Sequence, residues 1–225
     1  ENASYPDGAG GSYTAQTVTL LASDGQTYQY QIRGTCRKGS VVRAAISGQG
    51  GEVTVRGLSS SSFSGAVNKE GTQLGKYAFA QGVEILDVSE GRGAVIHPSR
   101  LAGMSLDSGK IRYYALNPQG EIETLILNDV TGDAYQYGIL TRLDESGEGT
   151  SKYFSYTYDI AGVSYSLPGT TTRFRVNCGP IRILGDAANP ERMYSLTAAK
   201  DGQIVGNQFA AGSQRYTLSD NVLVY

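Results

Sequence analysis

The sequence predicts an all-β protein made of two related antiparallel β-barrel or sandwich-like units with at most short helical turns. Composition is the first reason. Among 225 residues, 30 are Gly, 16 are Tyr, none is Trp and only 18% are charged, a mixture that suits many short strands and turns. Period-two alternation of apolar and polar residues is the second reason, and self-similarity along the chain is the third.

The repeat comes in two blocks. Residues 17–32 lie without a gap over residues 124–139 at an offset of 107, matching Leu20 to Leu127, Gly25 to Gly132, and Tyr28, Gln29 and Tyr30 to Tyr135, Gln136 and Tyr137. Each copy reads as strand, glycine turn, strand. At an offset of 139, Val42 and Arg43 meet Ile181 and Arg182, while Tyr77, Val83 and Ile85 meet Tyr216, Val222 and Val224. The change of offset predicts an insert of about 32 residues in the second copy, over 142–173. Residues 1–90 are then a first β unit and 91–225 a second, with the boundary at 89–93, Ser-Glu-Gly-Arg-Gly.

The insert opens on a polar, glycine-rich loop at 144–151 and continues as a hairpin. Phe154, Tyr156, Tyr158 and Ile160 alternate with polar residues; beyond an Ala161-Gly162 turn, so do Val163, Tyr165 and Leu167. A second hairpin is expected over 110–127, turning at Asn117-Pro118-Gln119-Gly120. Short helical turns are expected at 98–104 and at 190–196, each beginning near a proline. The serine run at 59–62 reads as a loop.

Charge and hydropathy narrow the partners. A formal net charge of −2, a sequence pI near 5.5 and scattered basic residues argue against nucleic acid. The longest apolar runs are a few residues long, far short of the roughly 20 that cross a bilayer, so no membrane insertion by this segment is expected. The chain begins on Glu1 and closes on a strand-like run at 221–225, which reads as an excised segment of an exported protein.

Catalytic groups are sparse. His97, the only histidine, precedes Pro98 and reads as a strand-end residue; no G-x-S-x-G elbow is present. Ser219-Asp220-Asn221 matches one motif of penicillin-interacting serine enzymes, but the S-x-x-K and K-T-G partners are missing, and the three residues read as a turn. Asn128, Asp129 and Asp133 carry oxygens that suit calcium, yet their aligned positions are Leu21, Ala22 and Gln26. Cys36 and Cys178 have no zinc-like spacing and are expected as buried free thiols, unjoined. No catalytic residue, metal or cofactor is expected. Distant carboxylates that meet in space would bring a two-carboxylate hydrolase forward. The candidate binding residues are the aromatic rings of the insert, Tyr153, Tyr156, Tyr158 and Tyr165, which stack on a sugar or a partner if exposed and pack a core if turned inward.

Within residues 122–139, the phrase ETLILNDVTGDAYQYG resembles a recurring segment of large secreted proteins of Gram-positive gut Firmicutes that also carry S-layer homology domains. Residues 32–39, 97–103, 156–162 and 218–225 look similar to further stretches of those proteins. The resemblance implies an extracellular, cell-envelope-associated protein and no enzyme class. The expected function is a non-catalytic structural or adhesive module whose partner is a cell-wall polymer, a glycan or an envelope protein. A carbohydrate-binding module is the alternative, and a two-carboxylate glycoside hydrolase the second.

Overall fold

A computed structural model describes residues 2–6, 9–47, 52–206, 208–218 and 222. The protein is all-β. The chain divides into two compact units, residues 1–132 and 133–225.

The first unit contains two five-stranded sheets. One is built from β1 (Asn2–Pro6), β2 (Ser12–Leu21), β3 (Thr27–Arg33), β4 (Val42–Ser47) and β5 (Glu52–Gly57), in the order β1-β2-β3-β5-β4. After the short strands β6 (Gly65–Ala66) and β7 (Gln73–Leu74) come β8 (Tyr77–Ser89) and β9 (Arg92–Val95), then β10 (Ser105–Leu106), β11 (Ile111–Leu116) and β12 (Ile122–Asn128). The second sheet runs β11-β12-β8-β7, with β9 also on β8, while β10 pairs with β6. Most pairs are antiparallel as expected, but β3/β5 and β12/β8 are parallel. Leu74, Ile85, Leu101, Leu106, Ile122, Leu125 and Leu127 are buried together beneath this second sheet. By area each full burial of such a side chain contributes about 1.5–3 kcal/mol.

Residues 89–93 are not a boundary between units. Glu90 and Gly91 both take positive φ, 47° and 88°, and form a two-residue turn across the Ser89↔Arg92 pair that joins β8 to β9. Glycines here serve a tight hairpin, and the division falls after Gly132. The hairpin at 110–127 forms as expected, with Asn117 Oδ1 accepting from the Gln119 and Glu121 amides at 3.0 and 2.9 Å.

The second unit contains β13 (Gln136–Ser146), β14 (Tyr153–Ile160), β15 (Val163–Thr170), β16 (Gly179–Gly185) and β17 (Pro190–Ser195), ordered β15-β14-β13-β16-β17 and wholly antiparallel. A three-stranded meander follows: β18 (Gly202–Val205), β19 (Gln208–Ala211) and β20 (Gln214–Thr217). The expected insert hairpin is β14–β15, turning at Ala161 and Gly162, both at positive φ. Leu140, Tyr156, Tyr158, Phe174, Ile181 and Ile183 lie in its core.

Of the two helical turns expected, one forms. Pro98–Leu101 is a 3-10 turn that buries Leu101 completely. The other, at Pro190, is β17, an edge strand that among the described residues pairs with β16 alone; proline is tolerated as its first residue, and Met193 fills the core opposite Ile183.

The two repeat blocks do not fold alike. Residues 17–32 form an antiparallel hairpin in which Val18 faces Tyr30. In residues 124–139, β12 belongs to the first unit and pairs with β11 and β8, whereas β13 belongs to the second and pairs with β14 and β16. Tyr216 lies on an edge of the meander, while Tyr77 begins the long strand β8. The matched residue Val224 and the Ser219-Asp220-Asn221 turn lie outside the described residues.

Candidate functional site

The four candidate rings of the insert divide sharply by exposure. Tyr156 and Tyr158 have no exposed surface, because even-numbered positions of β14 face the core. Tyr156 stands edge-on to Phe174, with ring centroids 5.2 Å apart. Its hydroxyl accepts from the Phe174 amide at 2.9 Å and donates to the Thr172 carbonyl at 3.3 Å. The Tyr158 hydroxyl donates to the Ala187 carbonyl at 2.7 Å. Burial, with the negative charge of Asp186 and the neighbouring Tyr165 adding to it, pushes the Tyr158 phenol up to about 12; burial also raises that of Tyr156. Tyr165 is half-buried and stacks on Tyr158 at 5.9 Å, and Tyr153 alone is well exposed, at 45%. These rings form no exposed aromatic row.

A cleft that the sequence reading missed opens in the first unit. It has a volume of about 470 Å³ and lies between β2, β3 and β4 of one sheet and β8, β11 and β12 of the other. Tyr28 and Tyr30 share one wall because residues two apart on a strand point the same way. Their rings stack at 6.3 Å with an interplanar angle of 21°. The Tyr28 hydroxyl donates to Asp24 Oδ2 at 2.7 Å, and Asp24 Oδ1 accepts from the Gln26 amide at 2.9 Å, so the β2–β3 turn fixes the ring. These bonds hold the Asp24 carboxyl below the usual carboxylate range, the Gln26 amide contributing most, and raise the Tyr28 phenol. Glycine keeps the turn close to the second sheet: a Cβ on Gly93 would stand 3.0 Å from Leu21 Cδ2 and 3.1 Å from Leu86 Cδ1.

Charge enters the cleft from three directions. Glu84 lies on β8, Glu123 on β12, and Arg43 on β4, all exposed lining residues. Glu84 pairs in register with Thr124, which places the two glutamates on neighbouring strands beside the bulge between Ile122 and Thr124. The alternation of Tyr28, Gln29 and Tyr30 was the available signal for the aromatic wall. Its reading as half of a repeat hid it. In the matching Tyr135-Gln136-Tyr137, Tyr135 is buried and carries the Arg182 guanidinium 4.0 Å above its ring.

The remaining candidates are structural in their contacts. His97 caps the 3-10 turn: its Nδ1 lies 2.7 Å from Ser99 Oγ and accepts from the Ser99 amide at 3.3 Å. Asn128 Nδ2 donates to the Gly109 carbonyl, and the Asp129 amide donates to the Val88 carbonyl. Among the described residues no group of three or more His, Cys, Asp or Glu could hold a metal ion. Cys36 and Cys178 are both free thiols; Cys36 is half-buried and Cys178 exposed, so neither is the buried thiol expected. Among the described residues no helix is long and apolar enough to cross a membrane. Compared with family models, with curated proteins and with solved structures, the chain matches none.

Proposed function

We propose that this chain is a non-catalytic adhesive module of a bacterial cell-envelope protein and that it holds a glycan in the first unit's cleft. The observation that carries the reading is the stacked pair Tyr28 and Tyr30, anchored through Asp24 and facing Glu84 and Glu123. Flat tyrosine rings take the apolar face of a sugar, while carboxylates and a guanidinium accept and donate to its hydroxyls. A volume of about 470 Å³ suits a small ligand, since such sites commonly measure roughly 300–1,000 Å³. Placement at the envelope rests on the resemblance of residues 122–139 to secreted S-layer-homology-containing proteins.

Titration calorimetry against neutral tetrasaccharides of glucose, xylose, mannose and N-acetylglucosamine tests this. At least one should bind, and Tyr28→Ala should weaken it by about tenfold, or about 1.4 kcal/mol. Equal affinity in the variant would remove the tyrosine wall from the site.

The presence of Glu84 and Glu123 on neighbouring strands in the lining of one cleft favours a second reading, a glycoside hydrolase using one carboxyl as acid and the other as base or nucleophile. Turnover of a bound sugar, lost in both Glu84→Gln and Glu123→Gln, would establish it. Binding without turnover supports the adhesive module.

A further inference from the structure

We propose that the second unit carries a groove for an acidic polysaccharide, built on Arg173, Arg175 and Asn177 between β15 and β16. Residues 171–178 run outside the paired strands. Phe174 and Val176 are buried in the core, which turns Arg173, Arg175 and Asn177 outward on the alternate positions. The segment is fixed from below by the Tyr156 hydroxyl, which bonds the backbone at Thr172 and Phe174, and the Asn177 amide donates to Ser195 Oγ at 3.0 Å. Beside it opens a cleft of about 730 Å³, lined by the three outward residues and Glu145 and floored partly by Phe154.

Charge and shape together select the ligand class. Arg173 lies over the Phe154 ring at 5.5 Å, a contact that orients the guanidinium while leaving its N–H edge for a ligand. Arg175 has no carboxylate partner among the described residues. Glu145, the acidic lining residue, is already bonded to Lys152, which with the charge of Arg173 holds its carboxyl below the usual range. The groove is therefore net positive. Side chains two apart on an extended backbone stand about 6.5–7 Å from each other, so two planar forks face one side in a row. Each fork matches a carboxylate with two parallel hydrogen bonds. Phe154, 5% exposed beneath the Arg173 guanidinium, braces that fork and presents no open ring face, so recognition rests on the two forks and on the carboxylates spaced along the polymer.

The test is calorimetric titration of the full chain with polygalacturonate at low and at high salt. The wild type should bind, more weakly at high salt. Arg173→Ala/Arg175→Ala should bind at least about tenfold more weakly, Arg173→Lys/Arg175→Lys should fall between, and Tyr28→Ala should bind as the wild type does. The last outcome separates this groove from the first unit's cleft. The proposal is overturned if polygalacturonate does not bind, if the double alanine variant binds equally, or if inorganic polyphosphate binds as tightly as polygalacturonate. Should the alanine variant lose its native circular dichroism, the lysine variant decides, and undiminished affinity there removes the arginine forks from recognition.

Discussion

Residues 17–32 and 124–139 carry nearly the same pattern and end in different arrangements, and the cause is local. At position 24 the first block has aspartate, whose carboxylate accepts from the Gln26 amide and closes the turn together with the Gly25 amide bond to the Ala22 carbonyl at 3.0 Å. The second block has Thr131 at that place. Its amide and hydroxyl donate to Asp87 Oδ2 at 2.6 and 2.8 Å, and the Val130 amide donates to the same carboxylate. Asp87, 1% exposed on β8, thus collects the donors that a turn would need, and the chain leaves the first unit without folding back. A second difference lies further on. Gln31 occupies the first block, and Gly138 the second, where a Cβ would stand 2.0 Å from the Asp159 carbonyl of β14. Shared apolar spacing makes strands in both blocks; the side chain that takes the turn's amides decides whether those strands pair.

The largest test of this difference is Asp87→Ala. It removes the buried acceptor of the half-buried Val130 and Thr131 amides and of the Thr131 hydroxyl, so the first unit should lose on the order of 2 kcal/mol. Chemical denaturation followed by hydrogen exchange in β8 and β12 reads it, and a loss below about 1 kcal/mol would show that the carboxylate does not hold the crossing.

Gly138→Ala should destabilise the second unit by about 1–3 kcal/mol, since β14 must retreat from β13. Exchange protection at Ile139 and Tyr158 would fall. Unchanged protection would mean that the close approach is relieved without cost.

Converting the first block toward the second, Asp24→Thr, should have a smaller effect, confined to the exposed β2–β3 turn. Because the native Asp24 pKa is depressed, its contribution is present above about pH 4 and disappears as pH falls through the folded value. The protection of the Gln26 amide, taken relative to its intrinsic exchange rate at each pH, should fall on acidification in the wild type and be low at every pH in the variant. A protected Gln26 amide in Asp24→Thr would shift the cause of the hairpin to Gly25 alone.

The mildest test lies in the insert. The folded Tyr158 pKa is raised to about 12 from 10.0, so its contribution is full below pH 10 and is lost as pH rises through about 12. Tyr158→Phe should cost about 1 kcal/mol at neutral pH, from the lost bond to the Ala187 carbonyl, and should flatten the alkaline fall in stability. An equally steep alkaline fall in the variant would assign it to other tyrosines.

Much of the fold was legible where neighbours in sequence are also neighbours in the sheet. The hairpins at 110–127 and 154–167 follow from alternation and turn residues, both local properties. The Pro98 turn was legible for the same reason, and the edge strand at Pro190 was not, because only pairing with β16 makes an extended proline acceptable there. The candidate site was less legible. Period two shows that Tyr156 and Tyr158 share a face but not which way that face turns, and the cores of β14 and β16 turn it inward.

By itself, the sequence determined the all-β class and the hairpins at 110–127 and 154–167, since each depends on spacing within a few residues. Only the tertiary structure decided the parallel β8/β12 pairing, the division after Gly132 and the placement of Glu84 and Glu123 in the lining of one cleft. Those features join residues about 40 positions apart or answer to a single buried acceptor, Asp87, and such competition for hydrogen bonds is settled only when distant strands have packed.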